Sequence, residues 1–142
     1  MQSEPSWRDR RREAAAEQAA ALDRRRATET AAARALLLDF VADAQAAGIT
    51  PGPLRAQVIS SGASYRTNLT GWYLKRNKSL AVDAEGNFYL LGVHSSLKSR
   101  LSGVEIEPSD PPLTVGLGAR DGESMPLKHL LALRLEAGNN WS

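Results

Sequence analysis

The chain has 142 residues, a hydrophobic fraction of 42% and a formal net charge of +2, as expected for one globular domain with an appendage. It contains no cysteine, which excludes disulfide frameworks, thiolate metal sites and cysteine nucleophiles. It also lacks the run of about 20 apolar residues that a membrane-spanning helix requires, and its charged first residues are unlike a secretory signal. We therefore expect a cytoplasmic protein without a membrane partner.

Residues 1–47 are expected to form the first unit, a long charged helix rich in alanine and arginine. From about Trp7 to Ala47 there is no glycine or proline, and the commonest residues are strong helix formers. Gly48 and Pro51 then provide the usual stop signals. The predicted helix is roughly 60 Å long, which is more than the globular part of the chain could cover.

The two halves of this helix differ in apolar content. From Ala33 to Ala47 apolar residues recur at spacings of three and four, which predicts packing on the domain. Before Ala33, Leu22 is the only large apolar residue after Trp7. We therefore predict that the second half packs on the domain and that the first half cannot be buried.

The first half also repeats weakly at 14 residues. Asp-Arg-Arg-Arg at 9–12 returns at 23–26, which places two arginine triplets on one face about 21 Å apart. Polar residues interrupt every heptad register, so a docking or self-associating helix and a solvated low-complexity helix both remain open. The candidate interaction residues are Arg10, Arg11, Arg12, Leu22, Arg24, Arg25 and Arg26.

Residues 48–56 are expected to be a linker, because Pro51-Gly52-Pro53 is typical of a turn. Residues 57–142 are then expected to form a small α+β domain. Three short runs rich in aromatic and β-branched residues predict an antiparallel meander: Gly71–Lys75, Ser79–Asp83 and Asn87–Val93. The loops between them predict that Trp72 and Phe88 both face Val82 and that Leu80 faces both Leu74 and Leu90. These six residues should form the core face.

Further elements are predicted after the meander. A strand over Val104–Glu107 would point Val104 and Ile106 inward, and Leu113–Leu117 favours another strand. A C-terminal helix carries the apolar stripe Leu127, Leu130, Leu131 and Leu135. The expected fold class is α+β: a long N-terminal helix, an antiparallel meander of about four or five strands and a C-terminal helix.

The opposite face of the meander is the main candidate for binding. Residues 54–100 carry seven basic and two acidic side chains, and Tyr73 and Tyr89 alternate there with Lys75. Aromatic side chains that stack bases, beside cations that neutralise phosphates, are typical of sheets that bind single-stranded nucleic acid. The apolar character of Phe88–Val93 on both sides instead indicates that a helix covers part of this face.

Catalytic motifs are weak. The glycine-rich loop at 116–122 precedes a helix and could hold an anion with Arg120, but its spacing matches no phosphate-binding fingerprint. His94 and His129 lack neighbours at metal-ligand spacing, and Glu105 and Glu107 fit a solvated strand face. We expect no metal and no cofactor.

Four segments together resemble small uncharacterised proteins of actinobacteria. They begin at Gly71 (GWYLKR), Gly86 (GNFY), Pro108 (PSDPPL) and Arg120 (RDGESMPL). The resemblance covers the globular part of the chain and implies a compartment and a lineage, but no mechanism.

The sequence therefore favours a non-catalytic binding or adaptor protein, which docks a protein partner or forms a homo-oligomer through its N-terminal helix and a sheet face. Nucleic-acid binding is the alternative, and a small enzyme with an anion-binding loop is a third hypothesis. The candidate binding residues are Tyr73, Lys75, Arg76, Lys78, Tyr89 and Arg120.

Overall fold

The computed structural model describes residues 6–59, 61–94, 101–116 and 124–141. Two helices and seven strands are named here in chain order: α1 Trp7–Ala46, β1 Gly52–Val58, β2 Ser64–Tyr73, β3 Leu80–Asp83, β4 Phe88–Leu90, β5 Gly92–Val93, β6 Thr114–Val115, β7 Met125–Pro126 and α2 Leu127–Ala137. This order confirms the predicted α+β class, with a long helix at one end and a short helix at the other. Within the described ranges, neither helix is long and apolar enough to cross a membrane.

Helix α1 begins and ends where the sequence predicts. The side chain of Ser6 accepts a hydrogen bond from the Asp9 N–H at 3.2 Å, which satisfies one of the free donors of the first turn. After Ala46 the chain turns at Gly48, whose φ of 73° suits glycine. The buried residues of α1 all lie in its second half: Ala33, Leu37, Phe40, Val41 and Ala44.

Strands β1 to β5 form one sheet in the order β4-β3-β2-β1-β5. The predicted three-stranded meander corresponds to the end of β2, β3 and β4, which are antiparallel neighbours, and Val82 faces both Trp72 and Phe88 as expected. Strand β1 extends it, antiparallel to β2. The prediction of a purely antiparallel meander is wrong at β5, the end of the predicted strand Asn87–Val93, because β5 pairs with β1 in parallel. The sheet is therefore mixed.

The sheet closes on itself at Leu91, the one residue between β4 and β5. Its N–H donates to the carbonyl of Ser79 beside β3 at 2.9 Å, while its carbonyl accepts from the Gln57 N–H in β1 at 2.7 Å. The chain from Phe88 to Val93 thus pairs with β3 over its first part and with β1 over its second. Because β1, β2 and β3 are already neighbours, the two edges of the sheet meet and its inner face is enclosed.

The enclosed face is a second apolar core. Buried side chains from several strands meet there: Leu54, Ala56, Val58, Tyr65, Ala81, Tyr89 and Leu91. Val104 and Ile106 pack against them as predicted, although the expected strand over Val104–Glu107 is reduced to a single bridge between Val104 and Thr67. A helix was expected to cover this face, and the curled sheet itself covers it instead.

The outer face of the sheet carries the main core, under α1 and α2. Trp72 is 1% exposed; its ring meets Phe40 edge-on at 6.2 Å, and its indole N–H donates to the Ile49 carbonyl at 3.0 Å. Five of the six predicted core-face residues belong to this cluster. The prediction is wrong for Leu90, which is 52% exposed.

The expected linker at 48–56 is also corrected, since β1 starts at Gly52. Leu54 and Ala56 alternate into the enclosed core, and the ladder with β2 shifts register between Pro53 and Arg55. A proline is tolerated at such an irregularity, where a ladder hydrogen bond is not required. The turn-like composition of residues 51–53 led to the linker prediction, and the alternation of buried Leu54, Ala56 and Val58 that follows was not recognised as a strand.

We expect Gly71→Ala to destabilise the fold by about 1–3 kcal/mol, the usual cost of overpacking. A β-carbon at Gly71 would lie 2.9 Å from the Asp83 Cα and closer still to the Val82 carbonyl oxygen, and both are backbone atoms of β3. Gly52, its partner across the ladder, has no atom within 4 Å of the same position. Gly52→Ala is therefore the matched control, and urea unfolding that gave both variants equal stability would contradict this account.

Candidate functional site

The first half of α1 projects from the domain without cover. No side chain between Trp7 and Ala32 is buried, and Trp7 and Leu22 are 65% and 49% exposed. This stretch carries seven arginines and five carboxylates. Since the second half of the same helix is part of the main core, the exposed half is held in a fixed direction by the domain.

The charges on this exposed half are not paired with one another. Within the described part of the chain, the one ion pair within 4.0 Å joins Arg34 and Asp110. Arg11 lies over the Trp7 ring at 4.5 Å, a contact between residues one helical turn apart. The arginine and carboxylate groups of this surface are therefore available to another molecule.

A second surface forms around the loop between β2 and β3. A turn closes this loop, in which the Lys78 N–H donates to the Lys75 carbonyl at 2.9 Å and Lys78 takes a positive φ of 61°. The Asn77 side chain accepts hydrogen bonds from the backbone N–H and the hydroxyl of Ser79. The turn thus brings Lys75, Arg76 and Lys78 together at one end of the sheet.

Two aromatic rings and two cations stack beside this loop. Tyr73 and Trp141 lie almost parallel with ring centroids 6.2 Å apart. Lys78 Nζ is 5.6 Å from the Tyr73 ring and the Arg134 guanidinium is 4.6 Å from the Trp141 ring, both within the range of a cation–π contact. We call these four residues the cation–aromatic stack.

Arg134 joins this stack to the main fold. It is 7% exposed, its Nε donates to the Tyr73 carbonyl at 2.8 Å and a terminal nitrogen donates to the Gly138 carbonyl at 2.7 Å. Burial lowers the pKa of its guanidinium, because desolvation disfavours the charged form. No carboxylate of the described residues lies within 4.0 Å of it, so its close contacts are two backbone carbonyls and the Trp141 ring.

A cleft of about 550 Å³ opens next to Arg134, a volume within the range of ligand sites. Its wall combines Leu74, which follows β2, and leucines of α2 with two cations of the loop and two residues of the cation–aromatic stack. The lining residues are Leu74, Lys75, Arg76, Leu130, Leu133, Arg134, Glu136, Ala137 and Trp141. Three cations face one carboxylate, so the cleft is suited to an anionic ligand with an apolar part.

Comparison of the chain with protein-family models, with curated proteins and with solved structures found no match. A function for the two surfaces is therefore inferred from their geometry alone.

The predicted binding residues are only partly brought together. Tyr73, Lys75, Arg76 and Lys78 meet around the loop between β2 and β3, although Lys75 was predicted to sit on the open sheet face. Tyr89 does not join them, because it is 5% exposed inside the curled sheet and cannot stack a base from solvent. Arg120 lies outside the described residues.

Tyr89 has a structural partner in Asp83. Its hydroxyl donates to the Asp83 carboxylate at 2.9 Å, and burial together with this hydrogen bond raises the pKa of Tyr89 to about 12. Burial also acts to raise the pKa of Asp83, but hydrogen bonds from Asn87, Tyr89 and Glu85 outweigh it and hold that pKa below its ordinary value. These bonds fix the β3–β4 hairpin loop.

Sequence reasoning missed Arg134 and Trp141, the two residues that complete the stack. Arg134 continues the stripe of Leu127, Leu130 and Leu131 at helical spacing, so a buried cation could have been recognised by its position among leucines. Trp141 follows the end of α2, and no pattern indicated that its ring returns to Tyr73.

We expect the stability of the protein to fall between about pH 10 and 12 partly because of Tyr89. In that window the unfolded chain ionises its tyrosines, whereas the folded phenol keeps its proton, so the unfolded state is favoured by up to about 1.4 kcal/mol per pH unit. Tyr89→Phe should remove this part of the slope in urea unfolding at a series of pH values. Identical slopes for the wild type and the variant would contradict the assignment.

Proposed function

We propose that the chain is a non-catalytic binding protein that docks a protein partner through the first half of α1. The observation that carries the proposal is one helix with two environments: its second half is built into the main core and its first half buries no side chain. Isolated helices are marginally stable in water, so the core contacts supply a rigid base for the exposed half. Such an arm costs little ordering entropy on binding.

The composition of the arm favours a polar, specific contact. Its arginines have planar guanidinium groups that make two parallel hydrogen bonds to carboxylates. Its exposed apolar residues are few, and alanine is the commonest residue between the charged positions. A partner would therefore be recognised by matched charges around a narrow, closely packed seam.

We expect the triple substitution of Arg10, Arg11 and Arg12 by glutamine to abolish capture of the protein partner. Tagged full-length protein would be used at about 150 mM salt, where long-range surface electrostatics are screened, and after nuclease treatment. The matched control replaces Lys75, Arg76 and Lys78 by glutamine, which removes the same charge from the loop beside the cleft. Quantitative mass spectrometry of the captured material gives the measurement.

The helix variant should lose the partner, and the loop variant should retain it. If the loop variant loses the partner and the helix variant retains it, docking through α1 is wrong.

Nucleic-acid binding is the second candidate, favoured by the three cations that line one cleft, Lys75, Arg76 and Arg134. A fourth cation, Lys78, lies beside them over the Tyr73 ring. The stacking surfaces of Tyr73 and Trp141 already face each other. Affinity would therefore come mainly from phosphate contacts, with little dependence on sequence. Tyr89 has no part in this candidate, since its ring is enclosed.

For that candidate we expect the dissociation constant for a single-stranded oligonucleotide to rise steeply with salt. Each phosphate that a cation neutralises contributes about 0.7 to the slope of log K against log salt, so the loop variant should lose a slope of about 2. Fluorescence anisotropy over a series of salt concentrations measures both slopes. A flat salt response of the wild-type protein would overturn this candidate.

A further inference from the structure

Six residues in the exposed half of α1 lie on one stripe of the helix. Their spacings alternate between three and four, which is the periodicity of a helix–helix seam; they are Asp9, Arg12, Ala16, Ala19, Asp23 and Arg26. All six are exposed. We call this stripe the Asp/Arg seam. Charged residues at four of its positions explain why no apolar heptad continues through the sequence.

The order of charges in the Asp/Arg seam is complementary to itself when the direction is reversed. If Ala16 of one helix faces Ala19 of another running antiparallel, Arg12 then faces Asp23 and Asp9 faces Arg26. A twofold axis repeats each contact, as in an isologous dimer. We propose that two copies of this chain pair through the exposed halves of α1 in this antiparallel register.

The register also explains where the remaining arginines lie. At 100° per residue, Arg10 and Arg25 point to the far side of the helix from the seam, where they face solvent in the pair. At the centre of the seam, Ala16 faces Ala19 on both sides of the twofold axis. These small side chains allow helix axes to approach to about 8 Å, which brings the seam charges within reach of their partners.

A parallel pair is disfavoured by the same residues. In register, it would place Arg12 against Arg12 and Asp23 against Asp23, and like charges in direct contact cost free energy. The antiparallel register also ends before the domain begins, because Trp7 of one copy lies level with Thr28 of the other and the first buried residue is Ala33. The paired length, about 33 Å, thus coincides with the exposed half.

The seam charges are free to make these contacts. None of the four has an ion-pair partner within 4.0 Å in the described chain. The inference rests on the proposed function, in which the first half of α1 is the docking surface, and it identifies the partner as a second copy. Alanine contacts contribute little area, so the charge pairs set both the register and the salt sensitivity of the dimer.

The experiment is sedimentation equilibrium of the full chain and three variants at low salt. The wild type should show a mass of twice 15.3 kDa. Arg12→Asp, which places carboxylates against Asp23 at both symmetric contacts, should weaken dimerisation roughly tenfold or more. The double variant Arg12→Asp with Asp23→Arg restores opposite charges and should restore dimerisation.

Glu17→Arg is the matched control, since it changes the charge by the same two units on the side of the helix away from the seam. It should dimerise like the wild type. Failure of the double variant to recover, or an equal loss in Glu17→Arg, would overturn the proposed register. Circular dichroism of each variant shows that the helix is intact, so that unfolding is not mistaken for dissociation.

Orientation is tested with Ala27→Cys, which introduces a single thiol into a chain that otherwise has none. In the antiparallel pair the two substituted positions are about 28 Å apart, too far for a disulfide, whereas a parallel pair would bring them together. Ready disulfide formation between two Ala27→Cys chains would therefore overturn the proposal. A monomeric wild type would do the same, while leaving docking of another protein to be decided by the capture experiment.

Discussion

The indole of Trp72 is the contact on which the rest of the structure depends. It lies in β2 at the centre of the sheet, it packs edge-on against Phe40 of α1, and its N–H holds the carbonyl of Ile49 where the chain leaves that helix. A buried indole must satisfy its N–H, so packing and hydrogen bonding together fix the angle between helix and sheet. The direction of the exposed half of α1 follows from this angle, because the helix is continuous.

Closure of the sheet decides which surfaces remain for binding. Leu91 donates a hydrogen bond to Ser79 beside β3 and accepts one from Gln57 in β1. These bonds leave neither edge of the sheet open at this point, and open edges are the sites at which strands pair with other chains. The same closure encloses Tyr89 and Ala81, so no flat aromatic face is presented to solvent by the described strands. The candidate binding surfaces therefore lie at the periphery, at the loop between β2 and β3 and on α1.

The sequence was most informative where periodicity was strong. The helix from Trp7, the hairpin registers around Val82 and the leucine stripe of the last helix all follow from local patterns and turn residues. Closure through β5 could not be predicted in this way, since it depends on one strand that changes partner after three residues. The linker at 48–56 was wrong for a related reason: Leu54 and Ala56 find their partners only in the closed sheet.

The candidate surfaces also differ in how far local sequence patterns could predict them. Lys75, Arg76 and Lys78 are neighbours in sequence, so their cluster was predictable, whereas Arg134 and Trp141 reach it from the other end of the domain through long-range contacts. The arginine triplets were recognised in the sequence as a repeat. Whether they can contact another molecule depends on which faces of α1 the domain leaves exposed, and the repeat does not show this.

The two surfaces are linked by the geometry of the proposed dimer. An antiparallel pair of arms places the two globular domains at opposite ends of the paired segment, each with its own cleft of the same basic character. The rigid arm would set the separation of the two domains, because a helix holds a fixed rise per residue where a flexible linker would allow a broad range of distances. In such a dimer the length of the helix would determine the distance between the two domains, and a helix needs little apolar surface to keep that distance fixed.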